Sequence, residues 1–193
     1  LGKMPGDEWQ RFANVRAFLG YMYGHPGKKL LFMGQELGPY TEWNWETQIP
    51  WELLEYEFHR KLQTLIAELN RLYKSEPALY EVDSSFNGFE WLDFRDVDAS
   101  VIAFLRRAKD PEDFLVFVCN FTPQPRHSYR IGVPRDGNYT ELLNTDSSQY
   151  GGGNMGNFGW RNADPFKTHG QPFSLSLTLP PLSVVVFKPE KQE

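Results

Sequence analysis

Disulfides, membrane spans and basic clusters are all missing from this sequence of 193 residues. Its single cysteine, Cys119, excludes an internal disulfide framework and favours a reducing, cytoplasmic compartment. No apolar stretch approaches the ~18 residues that span a bilayer, and no signal-peptide pattern opens the chain. The net charge is −5 and no long basic run occurs. The sequence therefore predicts neither a nucleic acid nor a membrane as partner.

Signatures of metal and phosphate sites are also lacking. His25, His59, His127 and His169 are scattered and do not show the spacing of metal ligands. The glycine run 151–153 lacks the pattern of a phosphate-binding loop, and no GxSxG nucleophile elbow occurs. The sequence therefore predicts neither a metal site nor a phosphate-binding loop.

Aromatic residues, by contrast, are abundant. Fifteen Phe, nine Tyr and six Trp make up 16% of the chain. Such an excess is typical of a heavy hydrophobic core, and equally of a protein that stacks rings against sugars. Composition alone leaves both interpretations open.

The first eighty residues show helical periodicity on both sides of a short apolar run. A helix is predicted over 7–23, with Asp7 as N-cap and Gln10 completing a capping box. A second helix, over 55–74, carries the strongest periodic pattern in the chain. Between them, residues 30–33 are apolar without alternation, which is typical of a strand buried on both faces.

A strand buried on both faces needs parallel neighbours, and nothing else in the first eighty residues supplies one. We therefore expect residues 1–79 to be the last helix–strand–helix of a (β/α)8 barrel. Without its neighbours, the strand 30–33 is expected to associate, to misfold or to be protected by the flanking helices.

After Pro77 the hydrophobic period changes from 3.6 to 2. Short strands separated by turns are predicted over 89–94, 100–106, 114–121, 127–133, 139–144, 173–179 and 183–187. This pattern predicts an antiparallel β-sandwich of Greek-key type over residues 80–193, so the whole is an α+β chain of two parts. Residues 146–170 are expected to form an irregular excursion within it.

The long connection 35–54 carries the candidate binding residues. These are Gln35, Glu36, Glu42, Trp43 and Trp45. The two indoles can stack on the C–H faces of a sugar ring. The amide and the carboxylates can form hydrogen bonds with its hydroxyls. Alternatively, both indoles only pack the loop against the rest of the domain.

Glu36 follows the end of the predicted barrel strand, where functional side chains of such barrels lie. It is a candidate for catalysis, for substrate contact or for a structural hydrogen bond. Catalysis, however, requires groups from several strands.

Seven segments spread along nearly the whole chain form a specific pattern. They are residues 3–10 (KMPGDEWQ), 25–34 (HPGKKLLFMG), 42–44 (EWN), 69–73 (LNRLY), 88–93 (GFEWLD), 120–123 (NFTP) and 141–147 (ELLNTDS). In consecutive order these segments closely resemble the C-terminal portion of bacterial glycogen branching enzymes, which belong to the α-amylase superfamily. Gln35 departs from the pattern at a position where relatives vary.

The resemblance implies a barrel origin for the first part. Residues 7–23, 29–33 and 55–74 would be the seventh helix, eighth strand and eighth helix, followed by the C-terminal β domain of the family. The nucleophilic Asp, acid/base Glu and stabilising Asp of such enzymes lie on strands four, five and seven. All three would precede Leu1, so no residue of this chain is assigned a catalytic role.

The resemblance also implies an activity for the parent protein. Such an enzyme cleaves an α-1,4 linkage of a glucan and transfers the chain to a glucose 6-hydroxyl, without a cofactor. Partners would be an α-glucan and the remainder of the barrel. The alternatives are another enzyme of the superfamily, such as a glycosyltrehalose trehalohydrolase, or a non-catalytic glucan-binding or stabilising module.

Overall fold

The computed structural model describes residues 1–191 and consists of helices packed on an antiparallel sheet. Helix α1 spans Glu8–Gly24 and helix α2 spans Glu57–Ser75. The strands are β1 (Phe89–Asp93), β2 (Val101–Arg107), β3 (Phe114–Asn120), β4 (Arg126–Val133), β5 (Asn138–Asn144), β6 (Trp160–Asn162), β7 (Phe173–Leu179) and β8 (Ser183–Pro189). Short 3₁₀ turns, among them Gln35–Leu37 and Trp51–Glu55, lie in the connections.

Helix α1 begins with the predicted cap, and α2 buries the predicted face but begins at Glu57, two residues later than predicted. The Asp7 carboxylate accepts the backbone N–H of Gln10 at 2.8 Å, and the Gln10 side chain accepts that of Asp7 at 3.0 Å. This reciprocal pair is the predicted capping box. On α2, the buried residues recur at helical spacing: His59, Leu62, Leu65, Ile66, Leu69 and Leu72. The predicted amphipathic face is therefore the face that α2 buries.

Two sheets form the β region of residues 1–191. One has the strand order β1–β2–β3–β8–β5–β6, and the other pairs β4 with β7. Every strand pairing is antiparallel. The chain changes sheet at four connections, β3–β4, β4–β5, β6–β7 and β7–β8, as it does in Greek-key sandwiches. The predicted antiparallel sandwich, including the pairing of β2 with β3, is confirmed.

Strand β3 shows why the sandwich is stable, because all of its residues are buried. Leu115, Phe117 and Cys119 lie in the core shared with the helices. Phe114, Val116 and Val118 alternate with them and lie in the core shared with β4 and β7. Since side chains of a strand alternate between faces, one continuous apolar run fills two cores. Burial raises the pKa of the Cys119 thiol.

The prediction of a buried strand at residues 30–33 is wrong for this chain. No regular secondary structure forms there. Leu30 and Met33 expose 72% and 50% of their surface. A β-strand is held by hydrogen bonds to a neighbour, and no strand of residues 1–191 lies beside this segment. Instead, Met33 and Gly34 take left-handed backbone angles (φ 44° and 84°) and turn the chain into the next 3₁₀ segment.

The expected irregular excursion 146–170 is also partly wrong. It contains β6, which adds an edge strand to the larger sheet by pairing with β5. Only Trp160–Asn162 belong to this strand, and they are mostly exposed. A strand so short, with so little apolar alternation, gives no periodic signal in the sequence.

The guanidinium of Arg106 joins the helical and β parts. This β2 side chain is fully buried and donates to the backbone carbonyls of Gly24 (2.6 Å), Leu79 (3.2 Å) and Gly88 (3.2 Å). It also donates to the Asp83 carboxylate at 2.8 Å. Burial lowers the pKa of Arg106, and Asp83 opposes that shift.

Candidate functional site

The loop that carries the candidate residues is anchored at its start. Leu37 is buried, and its carbonyl lies 2.6 Å from Nδ1 of His59 on α2. Gly38 follows with a left-handed φ of 65°, and a Cβ on it would lie 2.8 Å from a methyl group of Leu62. Only glycine meets both demands without strain. The start of the loop is therefore held against α2, and the chain leaves this anchor in a fixed direction.

Gln35 and Glu36 lie on the 3₁₀ turn between the exposed segment and this anchor. The Gln35 side-chain oxygen accepts the backbone N–H of Phe32 at 3.1 Å. Its side chain thus closes the turn at residues 32–35 and is fixed in place. Glu36 is half-buried.

Glu42 lies further along the loop and pairs with Lys3 at the start of the chain. The Lys3 Nζ and a Glu42 carboxylate oxygen are 2.5 Å apart. The hydrogen bond and charge of Lys3 lower the pKa of Glu42. Because both side chains are well exposed, the pair contributes little to the stability of the fold.

The two indoles have different surroundings. The Trp43 ring packs edge-on against Phe32, with ring centroids 5.1 Å apart, and is 49% exposed. The Trp45 ring is 76% exposed and meets no aromatic ring within residues 1–191. Neither indole is a core residue, so the packing alternative accounts for Trp43 in part and for Trp45 not at all.

A cavity of about 410 Å³ brings part of the predicted set together. Gln35, Glu42 and Trp43 line it, whereas Glu36 and Trp45 do not. The opposite wall is apolar and is formed by residues 30–33 and by α1. A second, smaller cavity of about 280 Å³ continues past Glu42 and Trp43. Apolar and aromatic walls with a few fixed polar groups are typical of small-molecule sites.

A further cavity, which the sequence did not indicate, lies between β5 and the segment 147–159. Its volume is about 540 Å³, and Glu141, Asn144, Asn157 and Phe158 are among its lining residues. The sequence feature of this segment is Phe158, within a stretch rich in Asn and Gly. That feature gives no hint that β5 lies opposite.

Within the described residues, no group of three or more His, Cys, Asp or Glu side chains is placed to hold a metal ion. No helix of that same part is long and apolar enough to cross a bilayer.

Curated relatives confirm the resemblance to branching enzymes. The chain is 56% identical over 190 residues to the 1,4-alpha-glucan branching enzyme of Aquifex aeolicus, in a match that covers 98% of this chain and 30% of the relative. It is 53% identical over 193 residues to the enzyme of that name from Trichormus variabilis, with 100% and 25% coverage. The chain thus spans between a quarter and a third of the length of these relatives.

Solved structures of low sequence identity share the fold. A crystal structure of a Thermus thermophilus protein matches 93% of the chain and 31% of its own length, with a TM-score of 0.58 at 20% identity. An alpha-amylase from H. orenii matches 95% of the chain and 36% of its own, with a TM-score of 0.53 at 17% identity.

The model of the alpha amylase C-terminal all-beta domain matches residues 91–190. That range holds all the strands from β2 to β8 and covers just over half of the chain. The chain therefore belongs to the family of alpha amylase C-terminal all-beta domains.

Proposed function

We propose that this chain is part of a 1,4-α-glucan branching enzyme. The observation that carries the proposal is identity of 52–56% to enzymes of that name over 97% or more of the chain. In the proposed reaction, an α-1,4 linkage is cleaved, the chain is held as a glycosyl-enzyme, and a glucose 6-hydroxyl accepts it. The product is an α-1,6 branch, and the catalytic carboxylates belong to the portion of the enzyme outside this chain.

In this proposal residues 1–79 are the end of the catalytic barrel, and residues 80–193 are the C-terminal β domain. The exposed apolar surface of the first part supports it. Phe18, Leu30, Phe32 and Met33 each expose 45% or more of their surface and lie around one cavity. An apolar patch of this kind marks a surface that another part of a protein covers. The remainder of the barrel is the partner that the proposal assigns to it.

The loop 35–54 would then lie at the substrate side of the barrel. Gln35, Glu42 and Trp43 already share one cavity, and the exposed Trp45 extends from the same loop. Glu36 keeps a substrate-contacting or structural role. The buried, unpaired Cys119 supports a reducing compartment such as the cytoplasm for the whole enzyme.

A chimeric enzyme tests the proposed function. The segment of the Aquifex aeolicus enzyme that matches this chain is replaced by the chain itself. At 56% identity the buried contacts are largely kept, so we expect branching within about tenfold of the parent. New branches are followed by the iodine colour of amylose and by short chains that isoamylase releases. A chimera that unfolds like the parent but forms no α-1,6 linkages would contradict the proposal.

The two exposed indoles are expected to bind glucan rather than to stabilise the fold. In the chimera, Trp43→Ala and Trp45→Ala should each weaken binding of maltoheptaose roughly 3- to 10-fold, because each removes a stacking surface. The free energy of unfolding should change by less than about 1 kcal/mol, since both rings are largely exposed.

Trp51→Ala is the matched control for these two variants. Its ring is similarly exposed, at 54%, but it lies in the 3₁₀ turn Trp51–Glu55 just before α2, whereas Trp43 lines the loop cavity and Trp45 directly follows Asn44, which lines the second cavity. Binding is measured by affinity electrophoresis and stability by urea unfolding. If Trp43→Ala and Trp45→Ala lower stability and leave binding at the Trp51→Ala level, both are packing residues.

A further inference from the structure

The cavity between β5 and the segment 147–159 has the composition of a ligand site. Its volume of about 540 Å³ exceeds that of the loop cavity and lies in the range of about 300–1,000 Å³ usual for small-molecule sites. Leu142, Leu143 and Met155 supply apolar surface, and Glu141, Asn144 and Thr178 supply polar groups. No part of the loop 35–54 lines it.

Glu141 is held in a fixed orientation at this cavity. It lies on β5 where the pairing with β8 shifts register between Glu141 and Leu143. One carboxylate oxygen accepts the side-chain N–H of Asn157 at 2.8 Å. Asn157 is fully buried and is itself fixed by the Thr178 backbone, accepting its N–H at 2.9 Å and donating to its carbonyl at 3.1 Å. The Glu141 carboxylate is therefore a positioned acceptor.

Gly156 allows the Asn144 amide to lie against the backbone beside this carboxylate. A Cβ at position 156 would lie 2.4 Å from the side-chain nitrogen of Asn144 and 3.5 Å from the other oxygen of Glu141. Because the φ of Gly156 is not left-handed, the backbone angle does not require a glycine here. What requires glycine is the space next to the amide and the carboxylate.

Phe158 lies at the rim as the first central residue of a tight turn, in which it and Gly159 (φ 87°) both have positive φ, before β6 begins at Trp160. Its φ of 58° is left-handed, which is rare for an aromatic residue, and its surface is 94% exposed. The turn accounts for the positive φ, but Asn, Asp or Gly is the usual residue at that position, and an exposed aromatic ring adds no packing to the core. The Arg161 guanidinium lies 6.0 Å from the ring centroid on one side. The remaining exposed face is available for stacking.

The charges favour a neutral ligand with many hydroxyls. Among the described lining residues, His127 is the one basic side chain and Glu141 the one carboxylate. The nearby Arg161 is engaged by the backbone carbonyls of Asn157 and Trp160. A phosphate would meet the Glu141 carboxylate without a free cation, and a single carboxylate does not hold a metal. Sugar hydroxyls, by contrast, can form hydrogen bonds with amides and a carboxylate, and the C–H face of a sugar can stack on the Phe158 ring.

We propose that this cavity binds a glucosyl unit of an α-glucan, with Glu141 on its hydroxyls and Phe158 on its ring face. Asn144 is held by its own bonds, donating to the Met155 carbonyl at 2.7 Å and accepting the Asp146 N–H at 2.9 Å, and shapes the wall beside Glu141. The identity of the sugar rests on the proposed function, while the site itself is separate from the loop 35–54. It would hold a glucan chain on the β domain, away from the barrel loop.

The four methionines of the chain allow the two sites to be observed separately. Met4, Met22 and Met33 line the loop cavity, whereas Met155 lines the cavity proposed here. The 193-residue chain is labelled with ¹³C in its methionine methyl groups and titrated with maltoheptaose. The Met155 signal is expected to shift saturably. Cellohexaose, which has β-1,4 linkages, and inorganic phosphate are expected to leave it in place.

Phe158→Ala should weaken the binding seen at Met155 roughly tenfold, because it removes the stacking face. Glu141→Gln, which keeps the shape but removes the charge, should also weaken it. Phe86→Ala is the matched control, because Phe86 is 99% exposed and lines none of the described cavities. Urea unfolding of each variant shows that the fold is kept.

Absence of a saturable Met155 shift, binding by Phe158→Ala equal to that by Phe86→Ala, or a response to phosphate alone would each overturn the proposal. These outcomes are distinct from failure of the proposed function. A branching-active chimera whose Met155 does not respond would reject only this second site. A responding Met155 in an inactive chimera would reject the branching function and leave a glucan-binding site.

Discussion

Incubated alone with amylose, the 193-residue chain is expected to form no α-1,6 branches. A retaining transfer requires a nucleophile and an acid/base about 5 Å apart, on opposite sides of one glycosidic bond. The resemblance to branching enzymes places both groups outside this chain, which spans only 25–30% of those relatives. The four Glu residues of the loop do not replace them, because Glu42, Glu46 and Glu52 are exposed to solvent and Glu36 lies outside the loop cavity. A misplacement of even ~1 Å costs about a hundredfold in rate.

The measurement is the same iodine and isoamylase assay that is used for the chimera, with a heat-killed sample as control. The active chimera serves as positive control, so the absence of branching by the chain alone cannot be attributed to the assay. New branches above the heat-killed sample would show that catalytic groups do lie in this chain.

Replacement of Arg106 by Met is expected to be the most destabilising single change. The guanidinium is fully buried, and its loss leaves the Asp83 carboxylate and the carbonyls of Gly24, Leu79 and Gly88 without this donor. Breaking a buried ion pair from one side costs about 3–5 kcal/mol. For a chain of this size, that corresponds to a fall in Tm of roughly 6–20 °C.

Arg71→Met is the control for this variant, since it makes the same chemical change at an exposed ion pair with Glu68 on α2. Exposed pairs contribute at most about 1 kcal/mol. Both variants are compared by urea unfolding. Equal midpoints for Arg106→Met and Arg71→Met would mean that the buried guanidinium does not hold the helical and β parts together.

Most of the regular structure is predictable from local patterns. The cap at Asp7, the apolar face of α2, the apolar runs of β2, β3 and β8 and the alternation along β7 each come from residues near one another in the chain. These patterns reflect burial of one face or of both faces of an element. The same burial stabilises the fold, so the local pattern and the structure agree.

Residues 30–33 show where such prediction fails. An apolar run reports that the segment is buried somewhere, but a strand forms only where a hydrogen-bonding neighbour exists. The described part of this chain supplies none, so Leu30 and Met33 stay exposed. The pattern at this segment indicates a surface for a partner rather than a strand of the chain itself.

The sites were less predictable than the fold. Gln35, Glu42 and Trp43 were found because one loop carries them all. In the other cavity, a register shift places Glu141 opposite Asn157 and Phe158, residues with no shared local pattern. No sequence periodicity encodes a contact between a bulged strand and an irregular segment 16 residues away.

Cys119 gives the chain a built-in reporter of global opening. Its thiol is fully buried on β3, between β2 and β8, and faces the helices. No local fraying exposes the centre of a sheet, so a thiol reagent reaches this side chain only when the helical layer and the sheet separate. The labelling rate of this native thiol therefore measures the free energy of the most protected part of the molecule. No engineered probe is needed. If the remainder of the enzyme binds this chain, the decrease in labelling rate measures how much that binding stabilises the chain.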